Sequence, residues 1–226
     1  MMKLFDLITG LIAPRLCEAC GRTLVQGEKA LCMHCKASLP LSMANRADLR
    51  AAKLPRTAPV ADVYPWLAYS HANPVCSLIR EGKYNGRPEL IKALTELFAH
   101  DMAACGALQD IDMFVPVPMH LFKRMIRGYN QAAIIAEVLA GHAGVPARNC
   151  LRAIRGHRPQ AMQTRSQRLV NIAGSMTTTP GADIAGKHIG LVDDIITTGS
   201  TLTEAANVLT AAGATSITVF ALASAE

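Results

Sequence analysis

Near the C-terminus, two adjacent carboxylates, Asp193 and Asp194, precede a short run of hydroxyl side chains and glycine. The run consists of Thr197, Thr198, Gly199, Ser200 and Thr201. Free backbone N–H groups and hydroxyls at the start of a helix suit a phosphate. Carboxylates repel a phosphate and suit the vicinal hydroxyls of a ribose, or a metal held with them. A phosphate close to two ribose hydroxyls describes a ribose 5-phosphate, so the sequence predicts a site for that group.

A strand and a helix are predicted to position these side chains. Gly190–Val192 reads as the end of a buried strand, and 201–212 carries Leu202, Ala206 and Leu209 on one helical face. The alternative is an ordinary turn, in which Asp makes local hydrogen bonds and Thr-Gly-Ser only starts the helix. The carboxylates and the hydroxyl run occur together in one register, between the strand and the helix, and this favours the ligand site.

This arrangement resembles the phosphoribosyl pyrophosphate (PRPP) motif of type I phosphoribosyltransferases. The resemblance implies that Asp193 and Asp194 hold the ribose hydroxyls. It also implies that residues 197–201 form the loop that holds the 5-phosphate.

Four of the seven cysteines form two CxxC knuckles separated by eleven residues: Cys17, Cys20, Cys32 and Cys35. Two knuckles can close a tetrahedral shell around one Zn²⁺, and a closed shell makes the metal structural and not catalytic. The alternative is a redox pair or disulfides, but a thioredoxin-like CxxC belongs to a βαβ context that is absent here. The sequence therefore predicts a zinc ribbon. The other cysteines are expected to be small buried residues: Cys76, Cys105 and Cys150.

Positive charge is concentrated in one segment. Residues 113–182 contain nine Lys or Arg and one acid, Glu137, whereas the rest of the chain has a net charge of −2. Such a segment can neutralise a pyrophosphate, since Arg binds phosphates in a bidentate way, or follow a nucleic-acid backbone. A solvated basic face is the plain alternative.

Within this segment, Pro116 and Pro118 brace a turn that leads through a basic loop into a helix. The loop and the helix start contain Lys123, Arg124, Arg127, Gly128, Tyr129, Asn130 and Gln131. Glycine permits a close backbone approach to a ligand. Asn130 and Gln131 are expected to reach a ligand from the helix start, or else to serve helix entry alone.

Along the chain, strands alternate with helices, which predicts an α/β fold with a mostly parallel sheet flanked by helices. Strands are predicted at 60–70, 111–116, 151–154, 187–192 and 216–222, and helices at 74–81, 89–104, 128–141 and 201–212. In such sheets ligands bind beyond the carboxyl ends of the strands. We expect an N-terminal helix and zinc module at 1–40, a solvated linker at 41–60 and the main domain at 61–226.

Composition excludes a chain built on membrane spans. Half of the 226 residues are hydrophobic, yet no apolar run approaches the ~18 residues of a span. Residues 1–14 have apolar side chains at helical spacing, but Asp6 interrupts them, which favours a docking helix over a signal peptide. A cytoplasmic protein is therefore expected.

Together these strings resemble the ComF/GntX family, which joins an N-terminal zinc ribbon to a type I phosphoribosyltransferase-like domain. The Cys₄ module, the turn 83–86, the block 115–131 and the acidic-pair loop occur in the family's order. Family positions also match Arg165, Arg168 and Asn171, although residues 160–165, with Gln160 and Gln163, depart from the usual pattern. The resemblance implies a structural Zn²⁺, Mg²⁺ bound with PRPP, and a link to DNA uptake and its proteins.

Two functions follow from these features. In the first, pyrophosphate leaves the anomeric carbon of PRPP and a nitrogen nucleophile replaces it, with Arg127 and either Lys123 or Arg124 attracting the pyrophosphate. In the second, the protein is a non-catalytic accessory whose basic segment grips single-stranded DNA and whose pocket is retained. An aromatic content of 4% limits base stacking, while nothing in the sequence recognises an acceptor base.

Overall fold

A computed structural model of the chain describes residues 14–42, 46–70, 72–154 and 174–225. The expected N-terminal helix and the residues around Arg165 lie outside this part of the chain. Within it the helices are α1 Met33–Ala37, α2 Arg46–Lys53, α3 Pro74–Tyr84, α4 Pro88–Ala104, α5 Leu121–Arg127, α6 Gln131–Ala143 and α7 Ser200–Ala211. The strands are β1 Asp62–Tyr69, β2 Met113–Pro116, β3 Leu151–Ala153, β4 Met176–Thr178, β5 His188–Ile196 and β6 Ser216–Ala225.

The main sheet is parallel throughout, with the strand order β1-β6-β5-β2. Eight of the ten residues of β6 are buried, as expected for an inner parallel strand that is covered on both faces. The predicted strand near 151 does not join this sheet, because β3 pairs antiparallel with β4. The prediction of a parallel sheet with flanking helices is confirmed.

Alternating side chains of the strands build a core on each face of the sheet. Phe114, Val192 and Phe220 lie among the buried side chains of α3, α4 and α6 on one face. Their neighbours Leu191 and Val219 lie with α7 on the other. This two-sided burial holds the carboxyl ends of β5 and β2 next to each other at one edge.

The segment 41–60 is more ordered than the solvated linker expected from its charges. It contains α2, and its side chains Leu54, Ala58 and Val60 are 3–4% exposed. The guanidinium of Arg50, which is half-buried, donates to the carbonyls of Val60 and Ala58 at 2.7 and 3.1 Å. Apolar side chains between the charged ones thus join the core beneath the sheet.

Burial of the isolated cysteines is partly as expected. Cys76 and Cys150 are buried, but Cys105 is exposed, because it caps the C-terminal end of α4. No helix in the described ranges is long and apolar enough to cross a membrane.

Candidate functional site

The acidic pair lies near the carboxyl end of β5, an inner strand of the sheet. The carboxylate of Asp193 accepts the backbone N–H of Asp194, and that of Asp194 accepts the N–H of Ile195, both at 2.8 Å. The strand predicted to end at Val192 therefore continues through Ile196. Both carboxylates are held by the backbone of the strand that carries them.

Burial and like charge make Asp193 reluctant to ionise. Desolvation is the main cause that raises the pKa of Asp193 from 3.8 to about 7, and the charge of Asp194 acts in the same direction. The N–H of Asp194 and the charge of Lys83 oppose this rise. Lys83 Nζ lies 2.6 Å from Asp194 Oδ2, and the two side chains are 20% and 13% exposed. The site thus contains a shielded ion pair beside a carboxyl that exchanges its proton near neutral pH.

The predicted phosphate loop forms the turn between β5 and α7. Gly199 is the residue before the helix and has φ 69°, a left-handed conformation that favours glycine. A Cβ at this position would lie 2.0 Å from the carbonyl oxygen of Lys53, so only glycine fits. The hydroxyls of Thr198 and Ser200 lie 3.0 Å apart. Hydroxyls and helix N–H groups are therefore gathered at the start of α7.

A cavity of about 780 Å³ brings the two halves of the motif together. Five predicted site residues line it: Arg127, Asp193, Asp194, Thr197 and Thr201. Thr198, Gly199, Ser200 and Arg124 do not line it, and the side chain of Lys123 lies outside the part of the chain that the structure describes. The cavity thus joins carboxylates, hydroxyls and a guanidinium, the groups that a ribose 5-phosphate and a second anionic group need.

The helix entry at 127–131 is held by internal contacts. The guanidinium carbon of Arg127 lies 5.0 Å from the centre of the Tyr84 ring, and Tyr129 donates its hydroxyl to the carbonyl of Gly82. Asn130 was expected to reach a ligand, but its amide donates to the Val117 carbonyl at 3.0 Å and its oxygen accepts the N–H of Ala132 at 3.2 Å. Asn130 therefore serves as the cap of α6.

Gln131 is buried at the cavity wall, 1% exposed. Its amide makes no hydrogen bond within the described ranges, although it lies near enough to the Tyr129 hydroxyl to oppose the rise in pKa that burial causes there. Asn130 and Gln131 both line the cavity, and the amide of Gln131, unlike that of Asn130, is not committed to capping the helix.

Sequence reasoning missed the contribution of α3. Arg80, Lys83 and Tyr84 of this helix all line the cavity. Positions 80, 83 and 84 fall on one helical face, and the family resemblance marked only the turn 83–86, without a role for its side chains. Their side chains could not be assigned to the site because α3 is far from the acidic pair in the sequence.

The four predicted cysteine ligands form one cluster, with all four sulfur atoms within 4.8 Å of one another. The sulfurs of Cys20 and Cys32 are 3.7 Å apart, beyond the ~2.05 Å of a disulfide. Burial raises the pKa of the Cys17 thiol, but backbone N–H donors led by Cys32 outweigh burial and lower the pKa to about 6. Four free thiols at this spacing fit a tetrahedral metal ion.

The cysteine module is tied to the turn that follows α3. Arg87 forms a two-pronged ion pair with Glu18, at 2.9 and 3.1 Å, and Glu18 lies between Cys17 and Cys20. The same guanidinium contacts Glu89 at 2.9 Å. One arginine therefore joins the first knuckle to the polypeptide that carries Lys83.

Comparison with known proteins agrees with this architecture. Residues 126–225 match the model of the phosphoribosyl transferase domain. The DNA utilization protein YhgH of Escherichia coli is 28% identical over 217 residues, which cover 92% of this chain and 89% of that protein. Competence protein F of Haemophilus influenzae is 27% identical over 158 residues, covering 68% and 69%. Competence protein ComFC of Bacillus subtilis is 26% identical over 212 residues, covering 93% and 78%.

The fold and the matched domain define a type I phosphoribosyltransferase-like protein with four clustered cysteines near its N-terminus. The matches to YhgH and ComFC cover 92% and 93% of the chain. The chain is similar to proteins named for DNA utilization and competence, in agreement with the resemblance to the ComF/GntX family that its sequence motifs indicate.

Proposed function

We propose that this protein binds PRPP with Mg²⁺ and transfers the phosphoribosyl group to a nitrogen acceptor. The observation that carries the proposal is the shared cavity, which the acidic pair lines together with Thr197 and Thr201. In this proposal Asp193 and Asp194 accept hydrogen bonds from the ribose hydroxyls. The hydroxyl and N–H groups of residues 197–201 hold the 5-phosphate at the start of α7.

The chemistry asks mainly for positioning and charge neutralisation. The bond between the anomeric carbon and pyrophosphate breaks with its electron pair on pyrophosphate, and the acceptor nitrogen forms the new bond and then loses a proton. Arg127, with Lys123 or Arg124, attracts the leaving pyrophosphate. Bound Mg²⁺ would neutralise further charge on the same group. Ionised Asp193 favours ribose binding, so a ligand that hydrogen-bonds to the carboxylate lowers its pKa.

We also propose that the four cysteines hold one structural Zn²⁺. The sulfur cluster supports this assignment, because four sulfur ligands at this spacing suit a tetrahedral zinc ion. Free thiols persist in a reducing compartment, which supports a cytoplasmic location. The domain limits 1–40, 41–60 and 61–226 belong to the same proposal.

A second candidate is a non-catalytic accessory that handles single-stranded DNA, with DNA-uptake proteins as partners. The names of the relatives, which refer to DNA utilization and competence, support it. Helix α5 adds a structural reason, since Arg124 is exposed beside Met125 and Ile126, which are 82% and 71% exposed. An exposed arginine suits the phosphates of a nucleic-acid backbone.

Ligand-dependent melting tests the first candidate. Saturation at 100 times the dissociation constant stabilises a protein by about 2.7 kcal/mol, so PRPP with Mg²⁺ should raise the melting temperature of the wild type by several degrees. The double variant Asp193→Asn, Asp194→Asn should keep its fold and lose at least about tenfold in affinity, because one hydrogen bond to a charged group is worth ~1.5–3 kcal/mol. Asp183→Asn, at a side chain 83% exposed, is the control.

A wild-type melting temperature that ignores saturating PRPP and Mg²⁺ would refute ligand binding. Binding without release of pyrophosphate, in the presence of a panel of nitrogenous bases, would refute transfer. Titration with a single-stranded oligonucleotide at two salt concentrations addresses the second candidate. Affinity that falls steeply with salt favours it, and the absence of affinity at physiological salt opposes it.

A further inference from the structure

Lys83, at the C-terminal end of α3, has no role in the proposed function, although its side chain lines the same cavity. Lys83 is the penultimate residue of α3, and its ammonium contacts Asp194 at 2.6 Å. The turn precedes the part of the chain that matches the phosphoribosyl transferase domain, residues 126–225. It therefore adds a cation to the site from outside that domain.

The ion pair occupies a carboxylate oxygen that the proposed function gives to the ligand. Asp194 Oδ1 accepts the N–H of Ile195, and Oδ2 faces Lys83. A ribose hydroxyl that approaches Oδ2 competes with the ammonium for the same lone pairs. Binding of a ribose at this carboxylate thus requires Lys83 to share or leave its partner.

The released ammonium has a second anion within reach. Lys83 is adjacent to Tyr84, whose ring carries the guanidinium of Arg127, the residue to which the proposed function assigns pyrophosphate. Lys83 and Arg127 line the same cavity, so an ammonium that leaves Asp194 stays in the cavity to which the proposed function assigns pyrophosphate. Its flexible stem and three donors suit a change of partner better than the planar fork of an arginine does.

Three contacts hold the backbone around Lys83, which favours a movement of its side chain over a movement of the helix. The carbonyl of Gly82 accepts the hydroxyl of Tyr129. A Cβ at Gly82 would lie 2.7 Å from the side chain of Ile91, which shows how closely α3 and α4 pack there. Arg87 anchors the far end of the turn to Glu18. A rigid support with one long mobile side chain is the arrangement that an exchange of ion-pair partners requires.

We propose that Lys83 is a ligand-binding residue that exchanges partners, pairing with Asp194 in the free protein and with the pyrophosphate group of the bound ligand. This inference rests on the proposed function, since it takes ribose at the acidic pair as given. It assigns to the turn after α3 a part in distinguishing PRPP from ligands that lack pyrophosphate.

Two ligands that share the ribose 5-phosphate part separate the possible roles of Lys83. Calorimetric titration measures the affinities for PRPP with Mg²⁺ and for ribose 5-phosphate. For Lys83→Met we expect PRPP affinity to fall by at least about tenfold, while affinity for ribose 5-phosphate stays the same or rises. Lys83→Arg retains the charge and should recover most of the loss. Arg80→Met removes another cation from the cavity wall and should change the ratio of affinities much less.

Equal weakening of both ligands in Lys83→Met would overturn the exchange of partners, because it would mean that Lys83 acts only on the acidic pair. No change for either ligand would overturn any binding role. Lys83→Gln is a second variant without the charge, and melting curves of all variants check that the fold is retained. Failure of the wild type to bind either ligand would instead refute the proposed function, an outcome distinct from both.

Discussion

Replacement of Asp193 by asparagine should stabilise the protein in a pH-dependent way. Burial and Asp194 raise the pKa of Asp193 to about 7 in the folded protein, against an ordinary value of 3.8. The folded state therefore holds the proton more tightly than the unfolded state. Stability from this group is fully present below the unfolded pKa and is lost as the pH rises through the folded pKa. Asparagine does not ionise, so the variant escapes that loss.

The size of the effect follows from the pKa shift. Each unit is worth about 1.4 kcal/mol, and roughly two of the three units develop between pH 5 and pH 8. Asp193 is only half-buried and titrates together with its neighbours, so we expect the advantage of the variant to grow by about 1–2 kcal/mol over this range. In a chain of this size that corresponds to roughly 2–8 °C in melting temperature.

The assay is denaturation of Asp193→Asn and wild type at pH 5 and pH 8 without ligand. Asp183→Asn, at a mostly exposed side chain, should show the same difference from wild type at both pH values. An advantage of Asp193→Asn that does not grow between pH 5 and pH 8 would contradict the reasoning, because the carboxylate would then not be penalised by burial.

Two further predictions concern the metal and the phosphate loop. Protein purified without chelator should carry one Zn²⁺ per chain. Cys32→Ser should lose the zinc together with the fold of 15–40, whereas Cys105→Ser, at an exposed cysteine, should retain it. A disulfide mapped within the four cysteines would contradict the zinc site. Gly199→Ala should lower the free energy of unfolding by several kcal/mol. The alanine would have to adopt a φ of 69°, and its Cβ would lie 2.0 Å from the Lys53 carbonyl oxygen. Gly181→Ala is the control, since φ is 75° there but no atom lies within 4 Å of a Cβ at that position. A positive φ alone costs about 1–2 kcal/mol. Equal losses of stability in the two variants would contradict the prediction, because they would mean that the Lys53 carbonyl moves aside at little cost.

The parts of the site that lie close together in the sequence were predictable from it. The acidic pair and the hydroxyl run share one strand-to-helix connection, so their register alone placed them together. Lys83 was not predictable, because only the packing of α3 beside the sheet brings it to Asp194. The sequence left two roles open for Asn130, a ligand contact and helix entry, because its side chain offers the same groups to a ligand as to a helix end, and the structure shows the second.

The fold followed from the alternation of elements, and the errors came from reading charge as exposure. Arg50 belongs to a segment rich in cations, yet it bonds two backbone carbonyls while Leu54 enters the core. The end of β5 was placed too early because polar residues were taken to close the strand. At the carboxyl end of a parallel strand, polar side chains continue the strand and face the site.

If the cysteine cluster binds a metal and the cavity binds a ligand as proposed, the contact between Arg87 and Glu18 is a route by which the two binding equilibria can be coupled. Whatever factor a bound metal adds to the affinity for a ligand through this contact, the ligand must add to the affinity for the metal. Both side chains are about one-third exposed, and an ion pair of that kind is worth at most about 1 kcal/mol, a factor of about five. Such a coupling would be modest and would decrease with salt. Ionic strength would therefore control how strongly metal binding at the cysteine cluster influences the end of α3 that carries Lys83.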